Sequence, residues 1–251
     1  MTADAQALII ALFLIFCRIG SCLMMLPGYS SARIPTHIRL FVAIAVALSV
    51  APRLLPQVLP LVQMASDDMR IYMTVGEILN GLLIGLLGRV FMLALQFSGS
   101  VMANAIGMGQ SLGVPLEGHE ADPALVSLIT LTATVMIFSL NLHAEIVNAL
   151  VASYKAMPVE LGFSIRSGLN SLVDNLAQTF MLCLRISSPF VVYAVIVNFA
   201  IGLANKMTPA IPIYFISMPF VLAGGLLLLW FSAGNILSIF AGAYRQWVVM
   251  G

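Results

Sequence analysis

Apolar segments long enough to cross a lipid bilayer follow one another along almost the whole chain. Spanning the hydrocarbon takes about 20 apolar residues in a helix. Six segments meet this requirement and a shorter apolar tail follows: residues 7–26, 38–55, 71–97, 124–142, 172–204 and 210–231, then 235–250. None alternates with a strand period, and lipid admits only helices or closed barrels. The predicted fold class is all-α, an integral membrane protein.

Charge is too scarce to coat a water-soluble particle. Only 8% of the 251 residues are charged, whereas a soluble domain is about a quarter charged. This composition argues against a soluble enzyme, and the absence of clustered Lys and Arg predicts no nucleic-acid partner. Cys17, Cys22 and Cys183 lie in apolar stretches and are interpreted as packing residues. We expect a single membrane domain over residues 1–251.

Prolines interrupt several apolar segments. Pro189 removes a hydrogen bond inside the long stretch 172–204 and is expected to kink it. Pro27 and Pro35 bracket a short polar connection. Three further prolines are interpreted as marking another turn: Pro52, Pro56 and Pro60. Together these features predict kinked helices.

Charged side chains also lie within or beside the apolar segments: Arg18, Arg39, Glu77, Arg89, Glu145, Asp174 and Arg185. Such residues usually face protein or a water-filled cavity, because a charge near the bilayer centre costs at least about 2.5–3.5 kcal/mol. Two interpretations remain open for each one. It lines an ion or substrate pathway, or it snorkels to a helix end or is neutralised in a pair such as Glu77 with Arg89.

Small residues at helical spacing predict close helix packing. Gly81 and Gly85 lie one turn apart and admit the backbone of a neighbouring helix. That neighbour is a helix of the same chain or of a partner. With Glu77 and Arg89, these glycines form a candidate packing or partner interface.

Two catalytic or ligand-binding motifs can be weighed. Gly109 to Gly113 matches the G-x-S-x-G pattern, so Ser111 with His143 is a candidate for an intramembrane serine protease. The strand–turn–helix context of soluble hydrolases is missing, which disfavours that reading. His119 among carboxylates is interpreted as a solvated loop residue rather than a metal ligand. No cofactor and no metal are expected. A secondary transporter of a small solute would use broken helices and intramembrane charges, but no half-to-half repeat is visible.

The order of short motifs resembles the FliR family of flagellar biosynthesis proteins, whose injectisome relatives form the SctT branch. These motifs extend over most of the chain: Arg18, Pro27-Gly28, Arg33-Ile34-Pro35, Ala51-Pro52, Gly76-Glu77-Ile78, Ser98-Gly99, Met108-Gly109, Asp122-Pro123, Leu140 to His143, Pro189, Asn198, Gly202 to Pro209 and Pro219.

The resemblance implies a non-enzymatic component of the flagellar type III export gate. Such a protein lies in the bacterial inner membrane at the flagellar basal body. It assembles with several copies each of FliP and FliQ, and works with FlhB and FlhA. Unfolded flagellar subunits pass through the centre of the assembly. The kinked hairpins and buried charges would then be covered by partner subunits as well as by lipid.

The resemblance also implies a pore plug before the Asp-Pro pair, over residues 107–122. Candidate gate residues in this segment are Gly107, Met108, Gly109, Gln110, Leu112, Gly113, Val114 and Leu116. The family often has aromatic side chains here, where this chain has Leu112, Val114 and Leu116. We expect the glycines to lower the cost of moving the segment aside.

Overall fold

A computed structural model describes residues 2–30, 34–109, 123–208 and 210–250. Within these ranges the regular structure is entirely helical, which confirms the predicted fold class. The helices are α1 (Thr2–Met25), α2 (Thr36–Met64), α3 (Asp67–Ala105), α4 (Ala124–Ser139), α5 (Leu142–Ala156), α6 (Ile165–Met207) and α7 (Ile213–Met250), with a 3₁₀ turn at Val159–Leu161 between α5 and α6.

Five of these helices are long and apolar enough to cross a membrane: α1, α2, α3, α6 and α7. The pair α4 and α5 meets the same criterion together, bent by 69° at a short break, so the described residues hold up to six spans. Each predicted segment falls on this set of helices. The predicted tail 235–250 is wrong as a separate element, because it continues α7 without interruption.

The prolines of α2 do not make the predicted turn. Pro52, Pro56 and Pro60 lie inside a continuous helix. Their four-residue spacing puts all three on one side, and each is exposed. Each proline removes one backbone hydrogen bond on that side. The opposite side, which carries Ala51 and Leu54, is buried and supports the helix through packing.

Pro189 likewise lies within one continuous helix, α6. A proline at this position leaves the carbonyl of Arg185 without its usual N–H donor. The Ser188 hydroxyl donates a hydrogen bond to that carbonyl at 3.3 Å. The side chain therefore restores part of what the proline removes.

The break between α4 and α5 comes from an asparagine. Asn141 has φ +56°, in the left-handed region. A helix cannot continue through such a residue, and asparagine tolerates this conformation better than most non-glycine residues. The segment predicted as one helix over residues 124–142 therefore ends at Ser139 and restarts at Leu142.

The chain divides into two compact units. Unit 1 comprises Met1–Val90, Asn141–Leu176 and Trp247–Gly251, and unit 2 comprises Phe91–Leu140 and Ala177–Gln246. In unit 1, α1 packs along α2. In unit 2, the Phe91 ring meets the edge of Tyr244, which stacks on Phe240. The single-domain organisation stays a prediction.

Candidate functional site

A buried ion pair joins the first and third helices within unit 1. Arg18 of α1 and Glu77 of α3 are 0% and 1% exposed. The Arg18 Nη2 donates to the Glu77 Oε1 at 2.5 Å. Both charges lie in helices apolar enough to span a membrane. Their mutual neutralisation explains how such a segment can hold them.

The end of α5 completes the surroundings of Arg18. Its Nη1 donates to the Ser153 hydroxyl at 3.2 Å, and its Nη2 donates to the Met157 carbonyl at 2.8 Å. The guanidinium also lies over the Tyr154 ring, 3.9 Å from the centroid. The carbonyl, hydroxyl and aromatic face all favour a cation. One arginine thus ties together α1, α3 and the α5 terminus.

The suggested pairing of Glu77 with Arg89 is wrong. Both residues lie on α3, twelve positions apart, which is about 18 Å along a helix. That separation far exceeds the reach of an ion pair, and the carboxylate pairs with Arg18 instead. Arg89 is half-buried, eight residues and a little over two turns beyond Gly81.

Glycines on the same side of α3 bring the two helices together. A Cβ built on Gly81 would overlap the Ser21 hydroxyl and the Arg18 carbonyl. At Gly85 it would lie 2.6 Å from the Cys22 carbonyl. Glu77, Gly81 and Gly85 follow at four-residue spacing, so they form one stripe along α3. This stripe faces α1 of the same chain, and the absence of side chains lets Glu77 approach Arg18 closely.

Two further arginines satisfy backbone carbonyls near helix ends. The Arg39 Nε donates to the Ile34 carbonyl at 3.0 Å. Arg70 pairs with exposed Asp67 at 2.9 Å, and its guanidinium also donates to the Val62 carbonyl. Such contacts complete the polar groups of helix termini. The contact of Arg39 agrees with its interpretation, from the sequence, as a charged residue near a helix end.

The candidate gate segment begins where α3 ends, in unit 2. Gly107, with φ +83°, follows the helix. Its N–H donates to the Asn104 carbonyl, and the Met108 N–H donates to the Ala103 carbonyl. This pair of bonds is the Schellman arrangement, which favours glycine at its left-handed position. Gly107 therefore stops the helix, a more specific role than the flexibility expected of it.

Two neighbouring contacts fix the end of α3. Ile106 is fully buried, and a Cβ on Gly225 of α7 would overlap its side chain. A Cβ on Gly109 would overlap the Asn104 side chain. The approach to the gate segment is thus closely packed. The remaining gate candidates lie outside the described residues: Gln110, Leu112, Gly113, Val114 and Leu116.

The catalytic and metal alternatives gain no geometric support. Ser111 and His119 lie outside the described residues. Within the described part of the chain, no group of three His, Cys, Asp or Glu side chains could hold a metal ion.

The long apolar helices, with an ion pair buried between two of them, define a polytopic helical membrane protein. The family of bacterial export proteins, family 1, matches residues 9–247. The chain belongs to that family, and its predicted resemblance to FliR proteins is confirmed.

Three curated relatives illustrate the similarity, each described as flagellar biosynthetic protein FliR. The protein from Caulobacter vibrioides is 28% identical over 93% of this chain and 92% of its own length. The Aquifex aeolicus protein is 26% identical over 90% of this chain and 86% of its length. The Bacillus subtilis protein is 21% identical, with 87% and 84% covered.

Proposed function

We propose that this chain is a component of the flagellar type III protein export gate. It forms with FliP and FliQ the channel through which unfolded flagellar subunits leave the cell, and it works with FlhB and FlhA in the bacterial inner membrane at the basal body. The observation that carries this proposal is the family match over residues 9–247. Two of the flagellar relatives align over 92% and 86% of their own length, which favours the same role for the whole chain.

Exposed apolar surface supports a place inside a larger assembly. Trp230 and Phe231 of α7 are 80% and 81% exposed, and Phe199 of α6 is 68% exposed. Large apolar side chains of this kind need lipid or partner helices around them. In the proposed gate, FliP and FliQ cover part of this surface and lipid covers the rest.

The gate itself is the segment from Gly107 to Asp122. It occludes the channel at rest and moves aside when an unfolded subunit arrives. The closely packed end of α3, stopped at Gly107 and held by Ile106 against Gly225, provides a firm base for such a movement. The chain acts by opening and closing, and the proposal gives it no catalytic role.

Native mass spectrometry tests the proposal directly. The tagged chain is co-expressed with the neighbouring export genes and purified in mild detergent. We expect one large complex with one copy of this chain and several copies each of two small helical partners. A monodisperse monomer or symmetric homodimer, stable without those partners, would contradict the proposal and favour a small-solute transporter.

A further inference from the structure

The exposed side of α2 changes its chemistry partway along the helix. Between residues 38 and 48 every exposed position is apolar: Ile38, Leu40, Phe41, Ile44, Ala45 and Leu48. Between residues 49 and 63 every exposed position is polar or proline: Ser49, Pro52, Arg53, Pro56, Gln57, Pro60 and Gln63. We call this second set the polar face of α2. The change occurs within one continuous helix, so the two parts of its exposed side suit different surroundings.

Polarity is confined to the exposed side of this stretch. Its buried positions are all apolar: Val50, Ala51, Leu54, Val58 and Val62. A helix with one apolar and one polar side separates a packed core from water or from polar groups of another molecule. Lipid is a poor neighbour for the polar side, since hydrocarbon offers no partner to an arginine or to amide side chains.

The backbone adds hydrogen-bond acceptors to the polar face. Each proline lacks an N–H, so the carbonyls of Leu48, Pro52 and Pro56 lose their usual donors four residues later. These carbonyls recur at intervals of about 6 Å along the helix. Lipid would leave all three unsatisfied, which is costly inside a bilayer. Water can satisfy all three, whereas a neighbouring helix would need three side-chain donors at that spacing.

Water outside the bilayer does not account for the whole polar face. A helix that crosses the hydrocarbon layer needs about 20 residues inside it. Helix α2 has 29 residues and is apolar enough to cross a membrane. If it does cross, no more than about nine of its residues extend beyond the layer. Ser49, Pro52 and Arg53 then lie within the layer, wherever the bilayer lies along the helix.

We propose that the polar face of α2 borders the water-filled passage of the export gate and contacts the unfolded subunit that moves through it. The passage exists only in the assembled gate, so this proposal rests on the proposed function. At rest, water binds the three carbonyls and the polar side chains. During export, backbone N–H groups of the cargo replace part of this water.

The spacing of the carbonyls suits an extended polypeptide. Successive N–H groups on one edge of an extended chain lie about 6.4–6.8 Å apart, close to the interval of about 6 Å between the carbonyls. Every residue except proline carries such an N–H, so the contact does not depend on the sequence of the cargo. Each bond to the cargo replaces a bond to water and gains little, so the cargo is not held in place.

Cysteine labelling measures which side of α2 meets water. The assembled gate is placed in lipid nanodiscs, which leave both ends of the passage accessible, and is treated with a positively charged methanethiosulfonate. We expect Ser49→Cys to react about tenfold faster than the control Phe41→Cys, because the thiolate is the reactive form and apolar surroundings disfavour it. Native mass spectrometry shows that each variant assembles. The native cysteines are buried and give a low background: Cys17, Cys22 and Cys183.

A stalled cargo distinguishes the passage from other water. A flagellar subunit is held in the gate by a tightly folded domain fused to its C-terminus, and the labelling is repeated. This cargo should remove most of the labelling of Ser49→Cys. The labelling of Asp67→Cys, just beyond α2 where the native side chain is 92% exposed, should not change.

Two results from an intact assembly would overturn the proposal. Labelling of Ser49→Cys as slow as that of Phe41→Cys would show that lipid or a partner helix covers the polar face. Fast labelling that the stalled cargo does not change would place this face in water outside the passage. Failure to obtain any assembly with partner subunits would instead contradict the proposed function, and this proposal with it.

Discussion

Arg18 and Glu77 show how an apolar helix can hold a charge. Taking either charge out of water is costly, and the pair repays that cost only with good geometry and further hydrogen bonds. Ser153, the Met157 carbonyl and the Tyr154 ring supply these contacts to the arginine. The pair need not make the protein more stable than an apolar substitute would. Instead, each buried charge is tolerated only while the other is present.

Removing one member of the pair should destabilise unit 1 severely. We expect Glu77→Gln or Arg18→Met alone to cost about 3–5 kcal/mol, because an unpaired charge or polar group stays buried. Combining Arg18→Met with Glu77→Leu should recover most of that loss. Thermal unfolding of the purified single and double variants measures their stabilities. The fluorescence of Trp247, which lies beside Gly88, serves as the probe.

The exposed pair of Asp67 with Arg70 provides the control. Asp67→Asn should change stability by less than about 1 kcal/mol, since the Asp67 side chain is 92% exposed. A double variant no more stable than the worse single variant would contradict the mutual dependence of Arg18 and Glu77.

The residues of the ion-pair site that the sequence could identify are those whose contacts follow from local spacing. Gly81 and Gly85 share one helix face, so their close packing follows from periodicity. The partner of Glu77 is 59 positions away, and no local pattern encodes that contact. Arg18 was visible as a charge in an apolar run. Nothing in the spacing singled out Ser153, Tyr154 or Met157, whose role depends on where α5 ends.

At the level of helices, backbone conformation decides where an element breaks. Three prolines leave α2 continuous, because each removes one bond on the exposed side. A single asparagine separates α4 from α5, because its positive φ is incompatible with a right-handed helix. Proline is the more obvious signal in the sequence. The turn predicted at Pro52 to Pro60 is wrong. Asn141 breaks the helix inside a segment that is apolar throughout, so hydropathy gave no sign of the break.

The bend at Asn141 can be tested by substitution. Asn141→Val should destabilise the protein by about 1–2 kcal/mol, since a β-branched residue is strained in the left-handed region. Asn141→Gly, which adopts this conformation freely, should be close to neutral. Thermal unfolding of both variants measures the difference. Equal stability of the valine and glycine variants would show that the bend does not require positive φ.

Because α3 packs closely on α1, adding a single methyl group at Gly81 should lower the stability of the protein. Gly81→Ala should cost about 1–3 kcal/mol, because the new methyl group meets the Arg18 carbonyl and α1 has to shift. Gly202→Ala is the matched control in α6, where an added Cβ meets nothing within 4 Å. That variant should be neutral or stabilising by about 0.5–1 kcal/mol. Similar melting temperatures for the two variants would argue against the tight contact at Gly81.

For the whole molecule, hydropathy predicts membrane spans better than it predicts their association. Apolar length located the five long helices and α4, because a bilayer demands a minimum run of apolar residues, but it missed α5 (Leu142–Ala156). Grouping into two units was not visible, since α3 and α6 each contribute to both. Nothing in the sequence of a continuous helix marks the point where its packing changes from one unit to the other.

The gating proposal makes its clearest prediction for the intact export assembly. Deleting residues 113–118 should increase the leakage of small solutes, because the shortened segment no longer occludes the channel at rest. Potassium efflux from cells expressing the export genes measures the leak, with native mass spectrometry to show that the complex still forms. Ser111→Ala is the matched control in the same segment: it should leave efflux and flagellar export unchanged, whereas an intramembrane protease would lose its activity. Unchanged efflux from an assembled deletion variant would mean that another part of the channel seals it.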